Sequence, residues 1–219
     1  RRDRLDIACL PAFAVHYLPA VLTRFHAVHA SVEMRIYEAP SAAISDLVES
    51  GEVEFGLSVV QTNRWDLQFE PLSNAFLSLA CPAKHLLAKK RSVGWRDLGD
   101  LPLIRVGTKT AIRTLIDDTL AVAGIRVGWR YEVQHVETAV NLVEVGLGLA
   151  VVPEIDVTLH RGTGVVAVPL TSPKVACSYG LVTRRGMPLS GPAETVKDLL
   201  MEATRANSRA STRSARSRA

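Results

Sequence analysis

From Val133 to Pro153 the chain reads VQHVETAVNLVEVGLGLAVVP: the end of a strand, a helix, a glycine turn and a second strand closed by proline. The same grammar runs from Leu5 to Val59. Leu5 to Leu10 reads as a strand ending at Pro11, followed by a helix from His16 to His29 with Pro19 in its first turn. Leu18, Val21, Leu22, Phe25 and Val28 recur there at helical spacing. Val32 to Tyr37 alternates as a strand, Ser41 stands as an N-cap before AAISDLVES, and Gly51 stops that helix ahead of the strand EFGLSVV. Strands separated by helices of this length are parallel with right-handed crossovers, so two such units predict two α/β lobes.

Between the lobes, LQFEPLSNAFLSLACP from Leu67 is strand-like without a helix and would carry the chain across. The second lobe is predicted as a strand from Pro102 to Val106, a helix from Thr110 to Ala123 stopped by Gly124, and a strand from Arg130 to His135. A helix from Glu137 to Val145 stopped by Gly146, and a buried strand from Leu149 to Val152, follow. VVAVPL, ACSYGLVT and a final helix from Pro192 to Ala203 would return the chain to the first lobe. The division expected is 1–75 with 169–204 for lobe I and 76–168 for lobe II. In such folds a small ligand binds where strand C-termini face the inter-lobe cleft.

Composition excludes several classes. The chain has 219 residues, 47% hydrophobic, and a formal charge of +4. Five of its 26 bases are Arg205, Arg209, Arg213, Arg216 and Arg218 in an acid-free tail, which leaves 21 bases against 22 acids in the rest. The folded part is therefore nearly neutral and carries no nucleic-acid footprint. The tail, residues 205–219, has no large apolar residue, and its composition predicts a disordered, solvated Arg/Ser-rich segment. No run of 18 apolar residues exists, so no membrane contact is expected. Cys9, Cys81 and Cys177 are odd in number and each sits in an apolar run, which argues for reduced core thiols and a cytoplasmic location.

Catalytic constellations are scarce. GxSxG, CxxC, HExxH and Walker-type motifs are absent. Gly146 and Gly148 form only a GxG and read as a helix stop and a close turn. His26 and His29 share a helix face but no third ligand is nearby in sequence, so a surface pair is favoured over a metal site. His135-Val136-Glu137 matches the HxE of zinc deaminases without their PCxxC partner. No metal and no cofactor are expected.

Helix starts carry more. Their free N–H groups and dipole favour a carboxylate or another anion. Four starts follow strands: Pro11 to Phe13, Ser41, Thr108 to Thr110, and His135 to Thr138, with Lys109 and Arg113 adding positive charge. For each polar residue an ordinary N-cap is the competing reading.

At these residues the chain resembles the effector-binding domain of LysR-type transcriptional regulators, whose fold is of the type II periplasmic-binding-protein kind. The resemblance rests on LPAVLTRFHAVHASVEMRIYEAPSAAISDLVESGEVEFGLS, LACPAKHLLAKKRSVGWRDLGDLPLI and VETAVNLVEVGLGLAVVPE, from about Arg4 to Met201. It implies two α/β lobes joined by two crossing strands, and a small-molecule effector held between them. Ala12, Phe13, Ser41, Ser58, Val59, Thr108, Lys109, Thr110, His135, Val136, Glu137 and Thr138 would line that cleft. Where the family often presents a hydroxyl after the first strand, Ala12 offers only backbone N–H. The resemblance also implies a homodimer built from the helices His16 to His29 and Glu137 to Val145, and DNA contact only through an N-terminal winged helix-turn-helix that this chain lacks. The apolar surplus on the first of those helices predicts the same dimer face. A solute-binding receptor of the same fold and an enzyme built on it are the alternatives, separated from the regulator by the upstream coding sequence and by turnover assays.

Overall fold

The parallel crossovers expected from residue spacing are present in both halves of the computed structural model, which describes residues 4–59, 64–107, 110–160 and 164–217. The chain forms two compact units, Arg1–Asn74 with Ser178–Ala219 and Ala75–Cys177. Two strands, β4 (Leu67–Pro82) and β10 (Ala176–Arg184), carry it from one unit to the other. The return falls at 177/178 rather than 168/169, because β9 (Val165–Thr171) pairs with β4 and with β5 (Val93–Gly94) inside unit 2.

In unit 1, β1 (Arg4–Cys9) lies between β2 (Glu33–Glu38) and β3 (Phe55–Val59), parallel to both, with Ile7 opposite Ile36 and Ala8 opposite Gly56. β10 closes the set antiparallel to β3. The first helix starts earlier than apolar spacing implies. α1 (Pro11–His16) begins directly after β1 with Pro11 at its first position, and α2 (Leu18–Val28) follows after a break at Tyr17. Proline is suited to that first position because its missing N–H is one the helix leaves unbonded.

Much of the apolar surplus on the first helix is buried within unit 1. Tyr17, Leu18, Val21 and Phe25 are buried, while Leu22 is half-buried and Val28 is 72% exposed on α2. A charge at Phe25 is therefore expected to unfold the unit rather than release a monomer. α7 (Gly191–Ser217) buries Ala193, Val196, Leu200 and Thr204 at helical spacing, and its exposed side reaches α2 through Arg24–Glu202 at 2.7 Å. His29 is bonded to Thr195 at 3.0 Å. Helical backbone continues to Ser217, where composition predicts disorder. Arg and Ala are good helix formers, and α7 supplies the costly first turns.

In unit 2, β6 (Leu103–Val106) lies between β7 (Trp129–Val133) and β8 (Leu149–Pro153), parallel to both. β4 is antiparallel to β8. Period-two alternation splits the core: Leu103, Leu149 and Val151 face a cluster with Trp95, Leu98 and α4 (Ala111–Ala123). Ile104, Ala150 and Val152 face Ala139, Val140 and Val143 of α5 (Val136–Glu144). Gly51, Gly124 and Gly146 take left-handed φ values of 77°, 63° and 80° and stop α3 (Ser41–Ser50), α4 and α5 as expected. Gly148 is a close approach, since a Cβ there would lie 2.6 Å from the Pro102 carbonyl. A short helix, α6 (Glu154–Leu159), directly follows β8. Among the described residues no helix is long and apolar enough to cross a membrane.

Candidate functional site

Because β1, β2 and β3 run parallel, their C-terminal ends share one edge of unit 1, and α1 and α3 (Ser41–Ser50) start there. This edge gathers Ala12, Phe13, Ser41, Ser58 and Val59. Phe13 is 2% exposed and contacts the ring of Tyr179 edge-on, with 5.7 Å between centroids. Ser58 is equally buried, with its hydroxyl donating to its neighbour's carbonyl, Val59 O, at 3.3 Å. Val59 is a buried strand residue opposite Tyr179.

Ser41 is not the N-cap. Pro40 holds that place with φ −66° and ψ 156°, and its carbonyl accepts the first helical bond from Ile44 at 3.0 Å. The proline ring fixes the φ that the cap needs and leaves Ser41 as the first helical residue. Its hydroxyl therefore caps nothing and stands beside the free N–H groups of the first turn.

Unit 2 presents the equivalent edge after β6, β7 and β8. Thr110 is a true cap: its Oγ1 accepts from the Arg113 N–H at 3.1 Å. His135 is the N-cap residue of α5 without a side-chain cap bond, and it is exposed like Thr138. Val136 packs on the α5 core cluster, and Glu137 is half-buried in the first turn. Thr108 and Lys109 lie outside the described residues. Two consequences follow for stability. Thr110→Ala is expected to cost about 1 kcal/mol and Ser41→Ala only a few tenths, as measured by urea unfolding. Equal losses would contradict the capping assignment.

Arg113 does not supply loose positive charge. Its side chain, 12% exposed, bonds Asp117 at 2.5 Å and the Gly107 carbonyl at 3.2 Å. An i,i+4 acid on the same helix explains the capture. Two acids absent from the sequence reading also sit at these edges: Glu38 ends β2, and Glu154 begins α6. Burial pushes the Glu154 carboxyl above the ordinary range, opposed by Lys174 and by a backbone hydrogen bond from Phe76. The Pro153-Glu154 step after a buried strand was the available signal, because the ends of parallel strands are where ligands meet such folds.

The three buried thiols stay protonated at neutral pH. Burial pushes Cys9 and Cys177 up to about 12 and Cys81 up to about 11, with Glu38 adding to the first and Asp156 and Glu154 to Cys177. Among the described residues no group of three or more His, Cys, Asp or Glu could hold a metal. The raised thiols set a pH dependence. Their folded pKa values exceed the unfolded one, so stability is unaffected below about pH 8.5 and falls as pH climbs towards 11–12. The slope is roughly 1.4 kcal/mol per pH unit per thiol. Urea unfolding at several alkaline pH values should give a shallower slope for Cys177→Ala than for the parent chain, and identical slopes would contradict it.

Comparison with known proteins places this geometry. The family model for the LysR substrate binding domain matches residues 1–205. An HTH-type transcriptional regulator of Escherichia coli strain K12, YbhD, is 30% identical over 200 residues, which is 91% of this chain and 63% of the regulator. The chain thus spans a little under two thirds of that relative. Among solved structures, the effector binding domain of QuiR in complex with shikimate aligns with a TM-score of 0.78 at 21% identity, over 94% of this chain and 99% of that one. The BenM effector binding domain with its effector benzoate aligns with a TM-score of 0.77 at 20% identity, over 91% of each chain. These two likenesses establish the fold, and with it the type II periplasmic-binding-protein-like α/β architecture. The family model covers everything from β1 to the buried part of α7, so the chain belongs to the LysR substrate binding domain family.

Proposed function

We propose that this chain is the ligand-sensing regulatory domain of a LysR-type transcription factor, binding a small anionic metabolite at the strand C-terminal edges described above. It would govern transcription through a winged helix-turn-helix outside this sequence. The match of residues 1–205 to the LysR substrate binding domain carries the reading. It favours a regulator over an exported solute receptor or an enzyme, and a relative that is itself a helix-turn-helix regulator supports the same choice.

The anion preference is supported by three helix N-termini at these edges, those of α3, α4 and α5, whose free N–H groups suit a carboxylate. The ligands of two structural relatives, shikimate and benzoate, are carboxylates. Lys109 would add positive charge and Phe13 and Val59 an apolar wall. The homodimer belongs to this reading too. Val28 and Val145, 72% and 69% exposed at the ends of α2 and α5, are apolar surface available to it, and light scattering at micromolar concentration tests it.

A thermal-shift screen of carboxylates, amines and neutral apolar compounds tests the ligand class. A carboxylate at 100 times its Kd should stabilise the chain by about 2.7 kcal/mol. Stabilisation by amines or apolar compounds alone would overturn the proposal. For a carboxylate that binds, Ser41→Ala should weaken affinity while leaving the unliganded melting temperature nearly unchanged.

A further inference from the structure

The first turn of α4 holds an arginine and no acid, although the dipole of a helix disfavours a cation at its start. The Arg113 side chain is 12% exposed and reaches two ways. Its Nη1 donates to the carbonyl of Gly107, one residue past β6, at 3.2 Å, and its Nε to Asp117, one turn further along the helix, at 2.5 Å. Its backbone N–H is held by Thr110 Oγ1 at 3.1 Å. Arg113 thus grips both ends of the segment 107–110 that joins β6 to α4. Gly107 is buried with φ 64°, and its N–H donates at 2.7 Å to the carbonyl of Val133, two residues before His135. The starts of α4 and α5 are therefore tied through one glycine. The other Asp117 oxygen is 3.7 Å from Arg105, which lies 5.2 Å from the centre of the Trp129 ring and 3.8 Å from Glu132. Two cations and two anions from α4, β6 and β7 converge on the same clamp.

We propose that Arg113 and Asp117 are positioning residues for anion binding at the α4 start: Asp117 holds Arg113, and Arg113 holds the helix start against the β6–β7 edge. This role rests on the carboxylate reading above and places neither side chain on the ligand. With two arginines offset by two acids, the cluster has no net charge with which to attract an anion. What it supplies is geometry. An unpaired Gly107 carbonyl would present partial negative charge beside the helix start and repel an anion, and the guanidinium takes up that charge. Hydrogen bonds weaken steeply with misalignment, so N–H groups fixed in advance bind more tightly than groups the ligand must order. Arginine suits the task where lysine does not, because its planar fork offers separate donors to two acceptors in fixed directions. Stability alone would be served better by an acid in that turn.

The test is calorimetric titration of the 219-residue chain with benzoate, shikimate, succinate and citrate, the tightest binder serving as probe for the variants. Asp117→Ala removes a negative charge, and on charge alone it would tighten anion binding. A positioning role instead weakens binding about tenfold, the scale of one charge-assisted hydrogen bond. Asp117→Asn keeps an acceptor for Nε and should restore the parent's affinity, whereas charge alone makes the two variants equal. Arg113→Lys keeps the charge, loses the fork, and should bind about threefold to tenfold more weakly. It carries the test if Asp117→Ala fails to fold. Arg113→Gln combined with Asp117→Ala should bind no more weakly than either alone, because both act through one contact. Trp95→Phe, which loosens the core of unit 2 away from the clamp, should leave affinity unchanged. Parent-like or tighter binding by Asp117→Ala, or parent-like binding by Arg113→Lys, overturns this proposal and leaves the carboxylate reading standing. Failure of the parent chain to bind any of the four overturns both.

Discussion

Replacing Trp95 by alanine is expected to cost unit 2 about 3–5 kcal/mol, the largest single loss in this molecule. The indole is fully buried among Leu98, Leu103, Ile112, Ile116 and Leu170. Its Nε1–H donates to the Pro173 carbonyl at 2.8 Å. Alanine would leave a cavity and also strip that carbonyl of its donor. Total stabilities of such domains are about 5–15 kcal/mol, so the loss brings the unit close to unfolding at ambient temperature. Trp95→Phe separates the two terms, keeping most of the apolar volume while losing the hydrogen bond, and should cost about 1–2 kcal/mol. Urea unfolding followed by circular dichroism reads both. A Trp95→Ala chain within 1 kcal/mol of the parent would show that the cluster around it is not the organising core of unit 2.

The second large effect is at Gly180, in β10 opposite Ser58 of β3. A Cβ at this position would stand 2.3 Å from Phe69 Cζ and 2.4 Å from the Glu70 carbonyl oxygen. The ring can turn aside, but a strand carbonyl cannot. Overpacking of this kind costs about 1–3 kcal/mol and occasionally more, and the backbone clash places Gly180→Ala near 3 kcal/mol. Gly128→Ala is the control, because nothing lies within 4 Å of its added methyl. It should be neutral. Equal effects at the two positions would mean that β10 and the segment around Phe69 are not in close contact.

What could be read from residue order alone was the part governed by local rules. The strand-helix-strand grammar, the three glycine helix stops and the tight Gly146–Gly148 turn depend on period and on φ, which neighbouring residues determine. The division into helices α1 and α2 escaped because the apolar spacing from Leu18 to Val28 is continuous with nothing to mark Tyr17 as a break. Composition predicts disorder in the tail because it weighs residues without regard to what precedes them, whereas the backbone of α7 is helical to Ser217.

At the site, backbone positions were legible and side-chain commitments were not. Ser41 and Thr110 look alike as hydroxyl residues at helix starts. Pro40 makes one the first helical residue, while the other accepts a bond as the cap. Arg113 looked like available charge until Asp117 and the Gly107 carbonyl claimed it. Glu154 was passed over because α6 is only six residues long and leaves little periodicity to detect. Pairing between side chains depends on distances that the sequence does not express.

The measurement closest to the central claim is an amide chemical-shift map of the labelled chain, titrated with the carboxylate that stabilises it most. The account predicts saturable changes at the helix starts, at Ala12, Phe13, Ser41, Thr110 and His135 to Thr138, with the α2–α7 packing face of unit 1 unmoved. Changes concentrated on that α2–α7 face, with the helix-start amides silent, would contradict it.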